Sequence, residues 1–207
     1  MEYNSIQEYI NYTEKVYDRY EVFIEICNKF SIKRALYPGS YIHITPSLII
    51  SEVTYIDSIK TAKKFFDYMN EILEFLDRNK IYDEKTVINF EAKDFNNDLP
   101  IPENYYDLLI SQFSGFISQS CKKYLMHGGL LLANDSHGDA TLAKADEDYQ
   151  FIGVISKING VYKYNDKNLE DYFSFKRKRP VDIEKVKREM KGPKYKLKSD
   201  YYIFKKI

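Results

Sequence analysis

The segment Arg34-Ala35-Leu36-Tyr37-Pro38-Gly39-Ser40, with Val53-Thr54-Tyr55-Ile56-Asp57 after it, restricts the fold of this chain more than any other part. It reads as a short apolar strand, a tight turn on one glycine, and a second apolar strand closed by a lone acid. A strand that feeds a turn, with a carboxylate held at the next strand tip, is the skeleton of a βαβ unit of the nucleotide-binding kind. Such a unit buries its strands only within a larger parallel sheet flanked by helices.

The remaining order of elements extends that sheet. Apolar residues at Ile6, Tyr9, Ile10, Tyr17, Tyr20, Phe23, Ile24, Cys27 and Phe30 recur at spacings of three, four and seven, which predicts one or two amphipathic helices ahead of the first strand. They are expected to pack on the sheet or cover its cleft. Thr45-Pro46 fits a short helix start. Residues 59–78 read as one long helix, 87–90 as a third strand, and Asp107-Leu108-Leu109-Ile110-Ser111 as a fourth strand buried on both faces. Residues 116–125 read as a helix, His127-Gly128-Gly129 as a turn, and 130–133 as a fifth strand. A sixth strand spans 151–156, and Asn159-Gly160 predicts a hairpin into Val161-Tyr162-Lys163-Tyr164. The expected fold is α/β: a doubly wound, mostly parallel sheet of seven strands, with that hairpin supplying the antiparallel member. The expected division is an N-terminal helical segment (1–31), an α/β domain (32–174) and a basic C-terminal extension (175–207) containing Lys176-Arg177-Lys178-Arg179.

A chain of 207 residues fits one domain with appendages. Lys+Arg and Asp+Glu are both 31, so no global field points to nucleic acid or to an acidic partner. A solvated tail is the plain reading of the basic run, with phosphate contact as the sharper one; Tyr195, Tyr201 and Tyr202 would then stack on bases. Cys27 and Cys121 lack metal spacing and read as reduced structural thiols. No apolar run reaches the roughly 18 residues of a membrane span, and Met1-Glu2-Tyr3-Asn4-Ser5 is unlike a signal peptide. A soluble, cytoplasmic protein without a membrane partner is the expectation.

The order of motifs resembles the class I S-adenosylmethionine-dependent methyltransferases over roughly residues 32–165. Tyr37-Pro38-Gly39-Ser40-Tyr41 stands where that family has its glycine-rich turn, and Asp57 where its acid binds the cofactor ribose. Asp94-Phe95 stands at the adenine-contacting position. Asp107-Leu108-Leu109-Ile110 looks like the family's fourth strand, and Tyr124 to Leu132, with Gly128-Gly129, like its turn and fifth strand. The resemblance implies a Rossmann-like fold, S-adenosylmethionine as cofactor, and Tyr37, Gly39, Ser40, Asp57, Asp94 and Phe95 as its contacts. The chain departs from the family where Tyr37 replaces an acid and Tyr41 and His43 occupy places of further glycines.

The substrate side falls to the loops beyond the fourth and fifth strands, where ligands of open parallel sheets bind. His137 and Asp135 are the candidate catalytic pair, an imidazole or carboxylate able to accept a proton. His43, Gln112, Phe113 and Asp139 are candidate substrate-side residues. An ordinary Asx-type turn is the plain reading of Asn134 to Asp139, and a helix cap that of Asp57. The absence of an Asn-Pro-Pro-Tyr or Asp-Pro-Pro-Tyr motif after the fourth strand argues against adenine-N6 methylation of DNA by the usual route. Methyl transfer to an unidentified small or macromolecular acceptor is the leading reading. A non-catalytic binding or regulatory module of the same fold is the second, favoured by Tyr41 and the missing glycines. A nucleotide-using enzyme with a metal at Asp135, His137 and Asp139 is the third.

Overall fold

The computed structural model describes residues 3–16, 19–177 and 179–207; Tyr17 and Lys178 lie outside the described residues. Its strands are β1 (Arg34–Pro38), β2 (Glu52–Ile56), β3 (Val87–Glu91), β4 (Tyr106–Ser111), β5 (Leu125–Ala133), β6 (Tyr149–Ile158), β7 (Val161–Asn165) and β8 (Tyr201–Lys206). They form one sheet in the order β3-β2-β1-β4-β5-β8-β6-β7. The pairs β1/β2, β2/β3, β1/β4 and β4/β5 are parallel. β8 runs antiparallel to both β5 and β6, and β7 antiparallel to β6. The helices are α1 (Ser5–Lys15), α2 (Tyr20–Lys29), α3 (Lys60–Phe66), α4 (Met69–Asn79), α5 (Ile117–Ser120), α6 (Asp139–Ala145) and α7 (Ile183–Glu189).

The two-residue period of the strands divides the core into two layers. In β4, Leu108 and Ile110 enter the layer with Phe23 and Ile26 of α2, Phe65 of α3 and Ile72 and Leu76 of α4. Leu109 enters the other, with Ile117 of α5 and Ala140 and Ala143 of α6. The middle of a strand buried on both faces is apolar, which is why Leu108-Leu109-Ile110 of β4 reads as a continuous run.

Several expectations change in detail. The long helix over 59–78 is two helices, α3 and α4, separated at Asp67-Tyr68, and Phe66 stacks on Phe90 at 4.2 Å. The helix over 116–125 is the single turn α5 followed by a 3-10 turn at Lys122–Tyr124. His127-Gly128-Gly129 does not interrupt the chain: β5 runs through it, with Gly128 at φ 80°.

The hairpin at Asn159-Gly160 forms, both residues having positive φ as a type I′ turn requires. Its strand β7, however, sits at the sheet edge. The antiparallel strand inside the sheet is β8, and it brings the sheet to eight strands. Tyr201 and Ile203 point into one core layer and Tyr202 and Phe204 into the other. The boundary placed at 174/175 therefore does not separate an extension from the domain: the last strand of the chain fills the gap between β5 and β6. Tyr195, Tyr201 and Tyr202 are buried residues, 7%, 5% and 2% exposed.

Candidate functional site

Two neighbouring cavities open at the carboxyl ends of the parallel strands. The first, of about 540 Å³, lies where the strand order reverses between β1 and β4. That is the position at which doubly wound sheets bind ligands, because the connections from the two strands leave to opposite faces and part there. Eight of the residues singled out from sequence line this one hollow: Tyr37, Gly39, Ser40, Asp57, Asp94, Phe95, Gln112 and Phe113.

The loop after β1 is pinned from two sides. The Gly39 N–H donates to the Ile56 carbonyl at 2.7 Å, and the Ser114 hydroxyl donates to the Gly39 carbonyl at 2.9 Å. Gly39 has φ 64°, and a Cβ there would lie 2.2 Å from the Ser114 Cβ. Glycine is needed for both reasons, and part of the space it leaves is taken by Ser114. Tyr41 also has positive φ, and its N–H donates to Asp57 Oδ2 at 2.7 Å. Asp57 Oδ1 accepts the Ile59 N–H at 2.8 Å in an Asx-type turn just before α3, whose N-cap residue Ile59 has no side-chain cap, and Asp57 still borders the cavity. Asp94 combines roles in the same way, accepting from the Asn96 N–H at 2.9 Å while lining the hollow.

Beneath this cavity runs a buried polar chain. His43 Nδ1 and the Tyr37 hydroxyl are 3.2 Å apart. The Arg19 guanidinium donates to that hydroxyl at 3.1 Å and to Gln112 Oε1 at 2.9 Å. Gln112 is 2% exposed, and its Nε2 is a buried donor without a hydrogen-bond partner on a residue that lines the hollow. Such an orphaned donor is costly in a folded protein and marks a place for an acceptor. Burial pushes the Tyr37 hydroxyl up to about 12, so it stays protonated beside the guanidinium.

The second cavity, of about 550 Å³, shares Arg19 and Phe113 with the first. The Arg19 guanidinium lies 5.4 Å from the Phe113 ring centroid, and Phe113 is 56% exposed. Beyond them the wall includes Asn134, Asp135, Tyr162, Lys198 and Tyr201. Asn134 Oδ1 accepts from the Ser136 N–H and hydroxyl, leaving its buried Nδ2 without a partner. Asp135 accepts from the Thr141 N–H at 2.8 Å and the Thr141 hydroxyl at 2.9 Å. Burial pushes its carboxyl up to about 6.

The rest of the expected rim does not assemble. His43 is fully buried at the far end of the polar chain, not on a substrate-facing edge. Asp139 is 2% exposed; it accepts from the Ser111 hydroxyl, from the Ser118 hydroxyl at 2.5 Å and from the Ser118 N–H at 3.0 Å, so it ties β4 and α5 to α6. His137 bonds to the Ser136 hydroxyl at 3.1 Å and lines neither cavity, whereas Ser136 and Asp135 line the second. The turn separates these side chains because each acid satisfies a helix terminus or neighbouring loop. The metal reading loses its donor set with them, and among the described residues no group of three His, Cys, Asp or Glu could hold a metal ion. Cys27 and Cys121 are free thiols that burial pushes up to about 12.

Sequence reasoning missed Arg19, Tyr12 and Ser114. Arg19 is 5% exposed at the left-handed start of α2, and its only sequence signal is a cation inside an aromatic-rich amphipathic run. Tyr12 and Arg19 show that the N-terminal segment covers the cleft. Among the described residues no helix is long and apolar enough to cross a membrane.

No family model matches this chain, and no curated protein matches it significantly. Solved structures do. A methyltransferase from Geobacter sulfurreducens is 12% identical over 79% of this chain and 91% of that one, with a TM-score of 0.50. An O-methyltransferase from Bacillus cereus in complex with SAH is 10% identical over 79% of this chain and 89% of that one, with a TM-score of 0.49. The chain has the class I methyltransferase fold, which agrees with its strand order and its internal antiparallel strand.

Proposed function

We propose that this chain transfers a methyl group from S-adenosylmethionine to an acceptor in the second cavity. The observation that carries the reading is the convergence of the Gly39 loop, Asp57, Asp94-Phe95 and Gln112-Phe113 on one hollow at the β1/β4 junction. The hollow is within the usual range for a small-molecule site. Its residues suit a zwitterionic nucleoside: carboxylates at Asp57 and Asp94, a buried guanidinium at Arg19 and an orphaned amide donor at Gln112. In this reading the remaining lone pairs of Asp57 accept from the ribose hydroxyls, Phe95 packs on the adenine, and Arg19 with Gln112 Nε2 meets the amino-acid carboxylate.

The bound cofactor would supply an electrophilic methyl sulfonium, so the protein needs mainly to align an acceptor with it and exclude water. Arg19 and Phe113, common to both cavities, form the boundary across which the methyl group would pass. Asp135 borders the acceptor side, and a carboxyl near pH 6 is mostly ionised at neutral pH and can take up a proton there. Asp135 replaces His137 as the group to which the acceptor's proton would go.

A non-catalytic module of the same fold is the second reading. It is favoured by Asp57, whose two oxygens already accept backbone N–H groups, and by Ser114, which fills space over Gly39. Isothermal calorimetry with S-adenosylmethionine and S-adenosylhomocysteine separates the two. Micromolar binding is expected; no heat at millimolar ligand would leave the non-catalytic reading standing.

A further inference from the structure

The neutral total charge of this chain conceals a strong polarity. Residues 176–198 hold eleven Lys and Arg against three acids, a formal +8, so the other residues carry −8. The cations described in this segment are exposed. Lys185, Lys187 and Lys196 face an acid within 4.0 Å. Among the described residues Arg188, Lys191, Lys194 and Lys198 make no ion pair.

The fold decides where that charge goes. β8 is drawn into the sheet centre, so the basic segment leading to it crosses the carboxyl-end face of the sheet. A third cavity, of about 640 Å³, is bordered there by Arg179, Lys185, Lys191 and Lys194, with Asp182 and Glu189 as its acids. Gly192 and Pro193 line both this cavity and the acceptor cavity, and Lys198 lines the acceptor cavity itself. The basic surface is thus continuous with the acceptor entrance. That entrance presents the exposed ring of Phe113, and the buried orphan amide of Asn134 lies in its wall. Exposed cations read phosphates, an exposed aromatic face stacks a base, and an amide donor meets a base-edge acceptor.

Resting on the methyl-transfer reading, we propose that the acceptor is a nucleic acid, its backbone held along residues 176–198 and an unpaired base admitted between Phe113 and Asn134. An unpaired base follows because a base inside a duplex cannot reach a walled cavity. The negative remainder of the surface would repel the strand elsewhere and so orient it.

Fluorescence anisotropy with a labelled single-stranded RNA of about 20 nucleotides, and DNA of the same sequence as a second arm, tests this. Affinity for one or both should fall at least about tenfold between 50 and 200 mM salt. The triple substitution Arg188→Glu, Lys191→Glu, Lys194→Glu should weaken binding at least about tenfold and flatten the salt slope. Its melting temperature and its affinity for S-adenosylhomocysteine should match those of the original protein. If it misfolds, Lys176→Glu with Arg177→Glu makes the same test. Phe113→Ala should weaken binding about tenfold with the salt slope unchanged. Equal affinity in the charge-reversed protein overturns the proposal. So does equally tight binding of polyglutamate, which would mark an acidic protein partner, or of phosphatidylserine vesicles, which would mark a membrane surface. Loss of S-adenosylhomocysteine binding alone, with nucleic-acid binding intact, would strike the methyl-transfer reading and not the surface.

Discussion

Asp57 shows how one side chain serves two ends. Its oxygens hold Tyr41 and Ile59 by their N–H groups, which shapes the floor of the first cavity, while the second lone pair of each oxygen remains for a ligand. Asp57→Ala is therefore expected to weaken S-adenosylhomocysteine binding by roughly 1–3 kcal/mol in calorimetry and also to lower stability, since two backbone donors lose a charged acceptor. Asp139 is a purely structural acid with a pH signature. Burial pushes its carboxyl up to about 6, above the ordinary value near 3.8. Between those values the folded chain holds a proton that the unfolded chain has released, so this group's contribution is full below about pH 4 and falls as the pH rises through about 6. The fall is about 2–3 kcal/mol. Urea denaturation of Asp139→Asn from pH 4 to 7 should show a smaller decline than the original protein, the part due to the buried Asp135 carboxyl remaining; parallel curves would refute the assignment.

At the scale of elements, the turn after β1 and the strand β8 carry the most weight. Gly39→Ala brings a Cβ to 2.2 Å from the Ser114 Cβ at a left-handed φ. A loss of about 2 kcal/mol or more is expected from backbone strain and overlap together. Adding Ser114→Gly should restore only part of it, because the overlap disappears and the φ remains; a double-mutant cycle reads the coupling. Phe204 is fully buried among Phe151, Phe173 and Tyr149. Phe204→Ala should cost about 3–5 kcal/mol in a denaturation curve, the range for truncating a core aromatic. A cost under 1 kcal/mol would mean that β8 is a dispensable appendage.

For the whole molecule, the two cavities lie at one end of the sheet, between the basic C-terminal segment and the N-terminal residues Tyr12 and Arg19. Filling the first cavity should therefore stabilise the fold as a unit. S-adenosylhomocysteine at a hundred times its dissociation constant is expected to add about 2.7 kcal/mol, seen as a rise in melting temperature. An unchanged melting temperature at saturating ligand would contradict binding to the native state.

Local signals were enough for the class of fold and for one wall of the site. Strand-length apolar runs, the Pro38-Gly39 turn and the Asn159-Gly160 hairpin are short-range features, and backbone sterics and side-chain alternation act at the same range. The tip residues Gly39, Asp57, Asp94 and Gln112 could be placed from sequence because successive parallel strands must end on one edge. Residues whose roles depend on distant partners could not. Arg19 becomes part of the site only by reaching Gln112, 93 positions away. Asp139 becomes structural only by meeting Ser111 and Ser118, and β8 becomes central only because β5 and β6 leave a gap of its width. Periodicity reports which side of an element is apolar, whereas burial of a charge or insertion of a terminal strand is settled by packing among elements far apart in the chain.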